Sequence, residues 1–216
     1  MAGARERSRA RTRAAILAAA RTEIAIRGGG GLSMRAVARE VGLVSSAVYR
    51  YFPTREALLT AMIVESYGNL DAVLTHVCGA RPDRHWEALA MALREWGRAR
   101  PHEFQLIYGT PVPGYVAPPQ TIEPAAAVAR HFLRVGAGSP VPHFNHPTLL
   151  RQMTSTVDEL DGAAPSGAAA VLAELAALVG FVSVELAGHF IGTADPADEL
   201  YAALINRQTG TLRLKA

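Results

Sequence analysis

Apolar residues recur three and four positions apart through most of the chain, and that spacing predicts helices. Ile16, Leu17, Ala20 and Ile24 form the first stripe, with Arg13, Arg21 and Glu23 off it, so a helix is expected from about Arg9 to Arg27. Gly28 to Gly31 ends it, because glycine readily takes the left-handed conformation beyond a helix terminus. Ser33 is a good cap for a short second helix whose inward stripe is Met34, Val37, Ala38 and Val41. Gly42 supplies a turn, and a third helix starts near Ser45 with Val48 and Phe52 facing inward. Pro53 stops that helix, and Thr54 caps a long fourth one that runs from Arg55 to about Val77. Leu58, Leu59, Met62 and Ile63 are expected to pack it back on the preceding three.

Beyond Arg81-Pro82-Asp83, a predicted break, a helix from Asp83 to about Arg100 carries Trp86, Leu89, Leu93 and Trp96 at helical spacing. Pro101 opens a segment holding Phe104, Leu106, Ile107 and Tyr108. Prolines then force loops at 110–119 and 136–147, separated by a helix from Thr121 to Val135. Helix is expected again from Thr148 to about Leu160, a mobile segment at 161–167, and two closing helices, Ala168 to Ile191 and Pro196 to Asn206. No alternation of strand type competes, and there is no repeat of fixed period. The chain reads as all-α. Two short helices around a glycine turn make a helix-turn-helix, which places its second helix in the major groove of DNA. The expected division is 1–60, a three-helix DNA-binding domain with a basic arm at 1–8, and 61–216, a larger helical domain.

Charge sharpens this picture. Residues 1–60 hold 11 Arg against 4 Glu, a balance of +7, while the whole 216-residue chain is only +3. The remainder is therefore mildly acidic, and a basic head on an acidic body suits a polyanion such as DNA, whose bound counterions are released as arginines neutralise phosphates. Half the residues are hydrophobic, enough for a sizeable core. The single Cys78 forms no intrachain disulfide and reads as a small buried residue; a reducing, cytoplasmic setting is expected. No run of about 18 uninterrupted apolar residues is present, so no membrane partner is expected.

The run Ala36-Val37-Ala38-x-x-Val41-Gly42, with Val48-Tyr49-Arg50-Tyr51-Phe52-Pro53-Thr54-Arg55-Glu56-Ala57-Leu58, resembles the TetR family of transcriptional repressors. The matched stretch covers about residues 9–65. Phe104-x-x-Ile107-Tyr108-Gly109-Thr110-Pro111-Val112-Pro113-Gly114-Tyr115 and Val184-Glu185-Leu186-x-Gly188-His189-Phe190 are similar to a subgroup with tryptophan, histidine and glycine in the C-terminal domain. The chain departs from the family at Val44, where a polar residue often caps the recognition helix, so Ser45 is expected to cap instead. Many relatives also have a larger polar side chain where Ser45 stands.

The resemblance implies that Arg35 reaches a guanine edge, where a guanidinium donates two hydrogen bonds. It also implies phosphate contacts by Tyr49, Tyr51 and Arg55, the last helped by the N-terminal dipole of its helix. Ser45, Ser46 and Ala47 are expected to face the groove, with Ala47 touching a thymine methyl and DNA shape supplying the rest. The family is further expected to bind an inverted-repeat operator in double-stranded DNA as a homodimer and to be released by a small, fairly apolar effector. The broad apolar surface of Leu175, Val179, Val182, Leu186 and Phe190, broken by small residues, supports the dimer independently. Trp86, Trp96, Phe104, Tyr108, Tyr115 and Phe132 are candidates to line an effector pocket.

No cofactor, metal ligand set or catalytic residue is expected. A metal-dependent enzyme is the rival from another class, resting on His131, His143 and His146 with Asp158, or on Glu185 and His189 one helical turn apart. Those spacings match no established zinc pattern, and the chain has no Gly-x-Ser-x-Gly elbow, phosphate loop or dinucleotide fingerprint. Within the DNA-binding reading, an activator or a ligand-independent regulator is the alternative to a ligand-relieved repressor.

Overall fold

The computed structural model of the chain describes residues 2–80 and 85–214. The predicted break at Arg81-Pro82-Asp83 and the predicted helix start at Asp83 lie outside them. Among the described residues all regular structure is helical: α1 (Ala2–Arg27), α2 (Met34–Glu40), α3 (Ser45–Tyr49), α4 (Arg55–Ala80), α5 (His85–Ala99), α6 (Pro101–Tyr108), α7 (Ile122–Gly136), α8 (Pro147–Asp158), α9 (Pro165–Leu186) and α10 (Asp198–Thr211).

The first helix is longer than its apolar stripe. Helix was expected from Arg9 with an arm at 1–8, but α1 already begins at Ala2. Alanine, arginine and glutamate are good helix formers, and residues 3–10 are exposed, so propensity alone carries those turns and leaves no apolar pattern to read.

Two compact units emerge, and their division differs from the expected 1–60 and 61–216. The first comprises the chain up to Tyr67 together with His102–Ile122; the second comprises Gly68–Pro101 and the chain from Glu123. The core of the first is built from Ile16, Leu17, Ala20 and Ile24 of α1, Met34, Val37 and Ala38 of α2, Val48 and Phe52, and Leu58, Leu59 and Met62 of α4. Leu106, Val112 and Tyr115 pack against that core, which is why the proline-rich segment belongs to it. The Tyr115 and Thr60 hydroxyls lie 2.9 Å apart in a hydrogen bond.

Local chemistry sets the head's turns. The Ser33 hydroxyl accepts the Ala36 N–H, capping α2. At the other end the Leu43 N–H bonds back to the Ala38 carbonyl and the Gly42 N–H to that of Arg39, a Schellman turn whose left-handed residue is Gly42 (φ 67°). Thr54 caps α4 by accepting the Ala57 N–H. A backbone N–H, with the same hydroxyl, holds the exposed Glu56 carboxyl below its usual range.

In the second unit, Trp86, Leu89, Leu93 and Trp96 of α5, Val128 and Phe132 of α7, Val171, Leu178 and Val182 of α9, and Tyr201 and Ile205 of α10 are buried. The helix expected to run to Ile191 stops at Leu186 because Gly188 (φ 76°) closes a second Schellman turn, with the His189 N–H on the Val184 carbonyl and the Gly188 N–H on that of Glu185. Pro165 opens α9 earlier than its apolar stripe suggests, since proline suits the first helical turn. There α9 runs close beneath the loop after α7: a Cβ on Gly167 would stand 2.5 Å from the Ser139 carbonyl oxygen and 2.6 Å from that of Ala137. Backbone cannot give way as a side chain can. Gly167→Ala is therefore expected to lower stability by about 2–3 kcal/mol, read as a lowered denaturation midpoint; an unchanged midpoint would contradict this packing.

Both α4 and α9 are long and apolar enough by length and composition to cross a membrane, although neither has an uninterrupted apolar run. Half of the most apolar stretch of α9 is buried against protein, including Glu174, whose carboxylate takes two hydrogen bonds from Arg207.

Candidate nucleic-acid interface

The head presents two exposed elements to solvent. On α2, Arg35 is exposed one residue after the helix start, while Met34, Val37 and Ala38 on the opposite side are buried. On α3 and its borders, Val44, Ser46, Tyr49 and Arg50 are exposed, Ser45 is partly covered, and Val48 is buried. Tyr49 is 46% exposed, which leaves part of its side chain open to an approaching partner.

Several expected placements change. Ala47 is only 6% exposed, so its methyl packs into the head and does not face a groove. The short α3 thus buries both Ala47 and Val48. Ser45 does not cap: it is the first helical residue, and Val44 occupies the cap position with no side-chain hydrogen bond. Tyr51 is half-buried and packs on the head core, so its ring has a structural role.

Arg55 has a task inside the head. Its Nε–H donates to the Leu32 carbonyl at 3.1 Å, and Nη2 donates to the carbonyls of Gly29 and Gly30 at 2.8 and 2.9 Å. The guanidinium thus gathers the carbonyls of the glycine turn and fixes the start of α4 to the α1–α2 connection. A phosphate contact by Arg55 has to share a group already committed to these bonds. Arg50, exposed beside Tyr49, is a cation absent from the sequence-based set of contacts. Its signal is present in the chain, because positions 46, 49 and 50 share a face once Val48 and Phe52 are assigned inward. Arg13 of α1 lies over the Phe52 ring at 5.2 Å, adding a further cation to the head.

The six aromatic pocket candidates divide between the units. In the second, Trp86 packs edge-on against Phe132 with centroids 5.5 Å apart, and its indole N–H donates to the Gln208 side-chain oxygen at 3.1 Å; Trp96 is buried in the same unit. In the first, Phe104 is fully buried against Tyr108 at 5.2 Å, Tyr67 meets Tyr108 edge-on, and Tyr115 reaches Thr60. Burial pushes the Tyr108 and Tyr67 hydroxyls above their usual pKa, with the Tyr67–Tyr108 interaction adding to the shift at Tyr108. The second unit also holds a cleft of about 420 Å³, bordered by Leu133, Leu160, Arg134, Asp158, Glu159 and Asp161, none of them among the aromatic candidates. Only acidic clustering in 158–161 points to it in the sequence.

Of the apolar residues expected at a dimer interface, Leu175 and Val182 are already buried within the chain, because they face the core side of α9. Val179, Leu186 and Phe190 are partly exposed, and the Phe190 ring meets that of Phe181 at a tilt, with centroids 4.8 Å apart. The outward face of α9 is instead Ala173, Ala176, Gly180 and Val184.

Two of the groups weighed for a metal site, Glu185 and His131, are otherwise engaged. Arg94 donates to both Glu185 carboxylate oxygens, and His131 joins Asp71 at 2.8 Å and Cys78 at 3.8 Å. Cys78 is thus half-covered beside His131 and not simply a core residue; burial pushes its thiol upward, partly offset by Arg134. Among the described residues, no three His, Cys, Asp or Glu side chains gather as a metal site.

Comparison with known proteins follows the same division of labour. Residues 16–62 match the family model described as bacterial regulatory proteins, tetR family, and residues 86–208, more than half the chain, match that of the tetracyclin repressor-like C-terminal domain. The HTH-type transcriptional regulators Mb1846 of Mycobacterium bovis and Rv1816 of Mycobacterium tuberculosis are each 37% identical over 142 residues, 63% of this chain. The match spans 61% of those relatives' length. The crystal structure of the regulatory protein SCO4313 is 33% identical and aligns over 95% of this chain and 98% of its own, with a TM-score of 0.81. PfmR of Thermus thermophilus, a TetR family transcriptional regulator, is 17% identical and shares the fold at a TM-score of 0.53 over 93% of this chain and 99% of its own. With both family models matched and the helix-turn-helix in place, the chain belongs to the tetR family of bacterial regulatory proteins, a family of transcription factors and not of enzymes.

Proposed function

We propose that the protein is a homodimeric, DNA-binding transcriptional repressor that binds an inverted-repeat operator and is released by a small, fairly apolar effector. The observation that carries the DNA-binding part is the exposure of Arg35 on α2 and of Ser46, Tyr49 and Arg50 on α3 and its border, in the part of the chain with the strongest positive balance. Arg35 donates to a guanine edge, while Tyr49 and Arg50 hold phosphates and fix the register. Tyr51 contributes through its hydroxyl, and Arg55 acts chiefly by holding the glycine turn. Affinity on this reading falls steeply with salt, because each neutralised phosphate releases counterions.

The small outward residues of α9 support dimerisation: Ala173, Ala176 and Gly180 permit close approach of a second helix, with Val184, Leu186 and Phe190 adding apolar area. Two heads related by a two-fold axis read two half-sites, hence an inverted repeat. An effector lowers affinity only if it binds the conformation with the heads wrongly spaced more tightly than the operator-bound one.

Enrichment of duplexes from a random pool, followed by titration at fixed salt, tests this reading. An inverted repeat should emerge. Arg35→Ala should weaken binding by about 1–3 kcal/mol and relax preference at one position in each half-site. No enriched duplex, or unchanged affinity and preference in the variant, would remove Arg35 and this interface from consideration. A protein that sediments only as a 23.0 kDa monomer at micromolar concentration would remove the dimer.

A further inference from the structure

We infer that Val44 is a base-reading residue, contacting the C5-methyl group of one thymine in each half-site; this rests on the DNA-binding reading above. Val44 is 71% exposed at the N-terminal border of α3, the helix that a helix-turn-helix inserts into the major groove N-terminus first. Four residues before Val48, it would share that residue's buried side if the helix began earlier. Instead its backbone is extended (φ −72°, ψ 146°), and the isopropyl group turns outward.

This arrangement leaves one function unfilled and another open. A serine, threonine, aspartate or asparagine at Val44 would accept an N–H from the first turn of α3, and the short helix has no side-chain cap without it. The side chain there is apolar and largely in solvent. Ser45 and Ser46 are short, and Ala47 is buried, so no other apolar group stands at the leading edge of the helix. Among the groups that bases expose in the major groove, thymine's methyl is the one an isopropyl group complements. Burying the two against each other removes apolar surface from water on both sides, and only a T·A pair supplies the partner.

The test uses the full-length protein and the duplex enriched by it. Each thymine is replaced singly by deoxyuracil, which removes only the methyl group, and affinity is measured at fixed salt for the wild type and for Val44→Ala. The wild type should lose about 3- to 10-fold at one thymine in each half-site. Val44→Ala should bind the unmodified duplex more weakly by a similar factor and show no further loss at that same thymine. Because Val44 is so exposed, the variant should keep the wild-type melting temperature, so weakened binding reports the contact.

A flat deoxyuracil profile overturns the assignment, as does a wild-type sensitivity that persists undiminished in Val44→Ala. In both cases a specific duplex is still bound, so the broader DNA-binding reading stands. Failure to enrich any duplex instead overturns that reading and the Val44 assignment with it.

Discussion

Arg94→Ala should destabilise the protein by about 3–5 kcal/mol, the range expected when one member of a buried ion pair is removed. Arg94 is 3% exposed on α5, and its guanidinium donates from Nε and Nη2 to the two Glu185 oxygens at 2.9 and 2.6 Å. Nη1 donates to Asp198 at 2.8 Å, and the group also lies over the Tyr201 ring at 5.0 Å. The hydrogen bonds to Glu185 and Asp198 hold it charged more firmly than usual against the opposing effect of burial. One side chain thereby ties α5 to the last turn of α9 and the first turn of α10. In the alanine variant Glu185 is left in a largely covered place with no cation, whereas Asp198, more than half exposed, returns to water at little cost.

This asymmetry makes the cause of the loss separable from its size. Arg94→Met keeps most of the side-chain volume but not the charge, so it should remain strongly destabilised if the stranded Glu185 carboxylate is the main cost. Adding Glu185→Leu removes the stranded charge and should recover much of the loss, since apolar replacement of both partners of a buried pair is often neutral or better. Urea midpoints of the three variants decide it. An Arg94→Ala midpoint corresponding to a loss under about 1 kcal/mol would show that the cluster is effectively solvated.

How much of this is legible in the sequence depends on the range of the interaction. Ser33 as a cap, Gly42 as a turn and the Val37, Val48 and Phe52 stripe are local, and periodicity places them correctly. The limits of α9 are also local, but the apolar stripe continues past Gly188, and Pro165 precedes its first apolar residue. Arg55 meets carbonyls 23 to 26 residues away, and Arg94 meets Glu185 across 91 residues. No spacing rule reports such pairs, so Arg55 reads as an outward group and Glu185 as a candidate metal ligand. Ala47 departs for another reason: a five-residue helix buries more of its circumference than an amphipathic stripe predicts. The recruitment of 102–122 by the head is illegible because prolines announce a loop without saying what the loop packs on.

Trp86→Ala should cost about 3–5 kcal/mol, as expected for a buried aromatic truncated in a core that cannot close over the gap. The indole is 2% exposed, meets Phe132 edge-on, and stands where Gly136 lets α7 pass: a Cβ on Gly136 would lie 3.1 Å from the indole and 2.5 Å from Val171. Its N–H donates to Gln208, whose own amide donates to the Glu174 carbonyl, so α5, α10 and α9 share a buried polar chain. Truncation therefore removes packing and leaves the Gln208 oxygen without this donor. Trp86→Phe separates the two effects, since it keeps a ring against Phe132 but no N–H; it should cost about 1–3 kcal/mol. This pair of variants bears on effector binding as well. If Trp86 serves the fold alone, Trp86→Phe should keep its operator affinity and its response to any releasing compound while its melting temperature falls. A variant that keeps the wild-type melting temperature but loses the response would make Trp86 a wall of the effector site and not a pillar of the core.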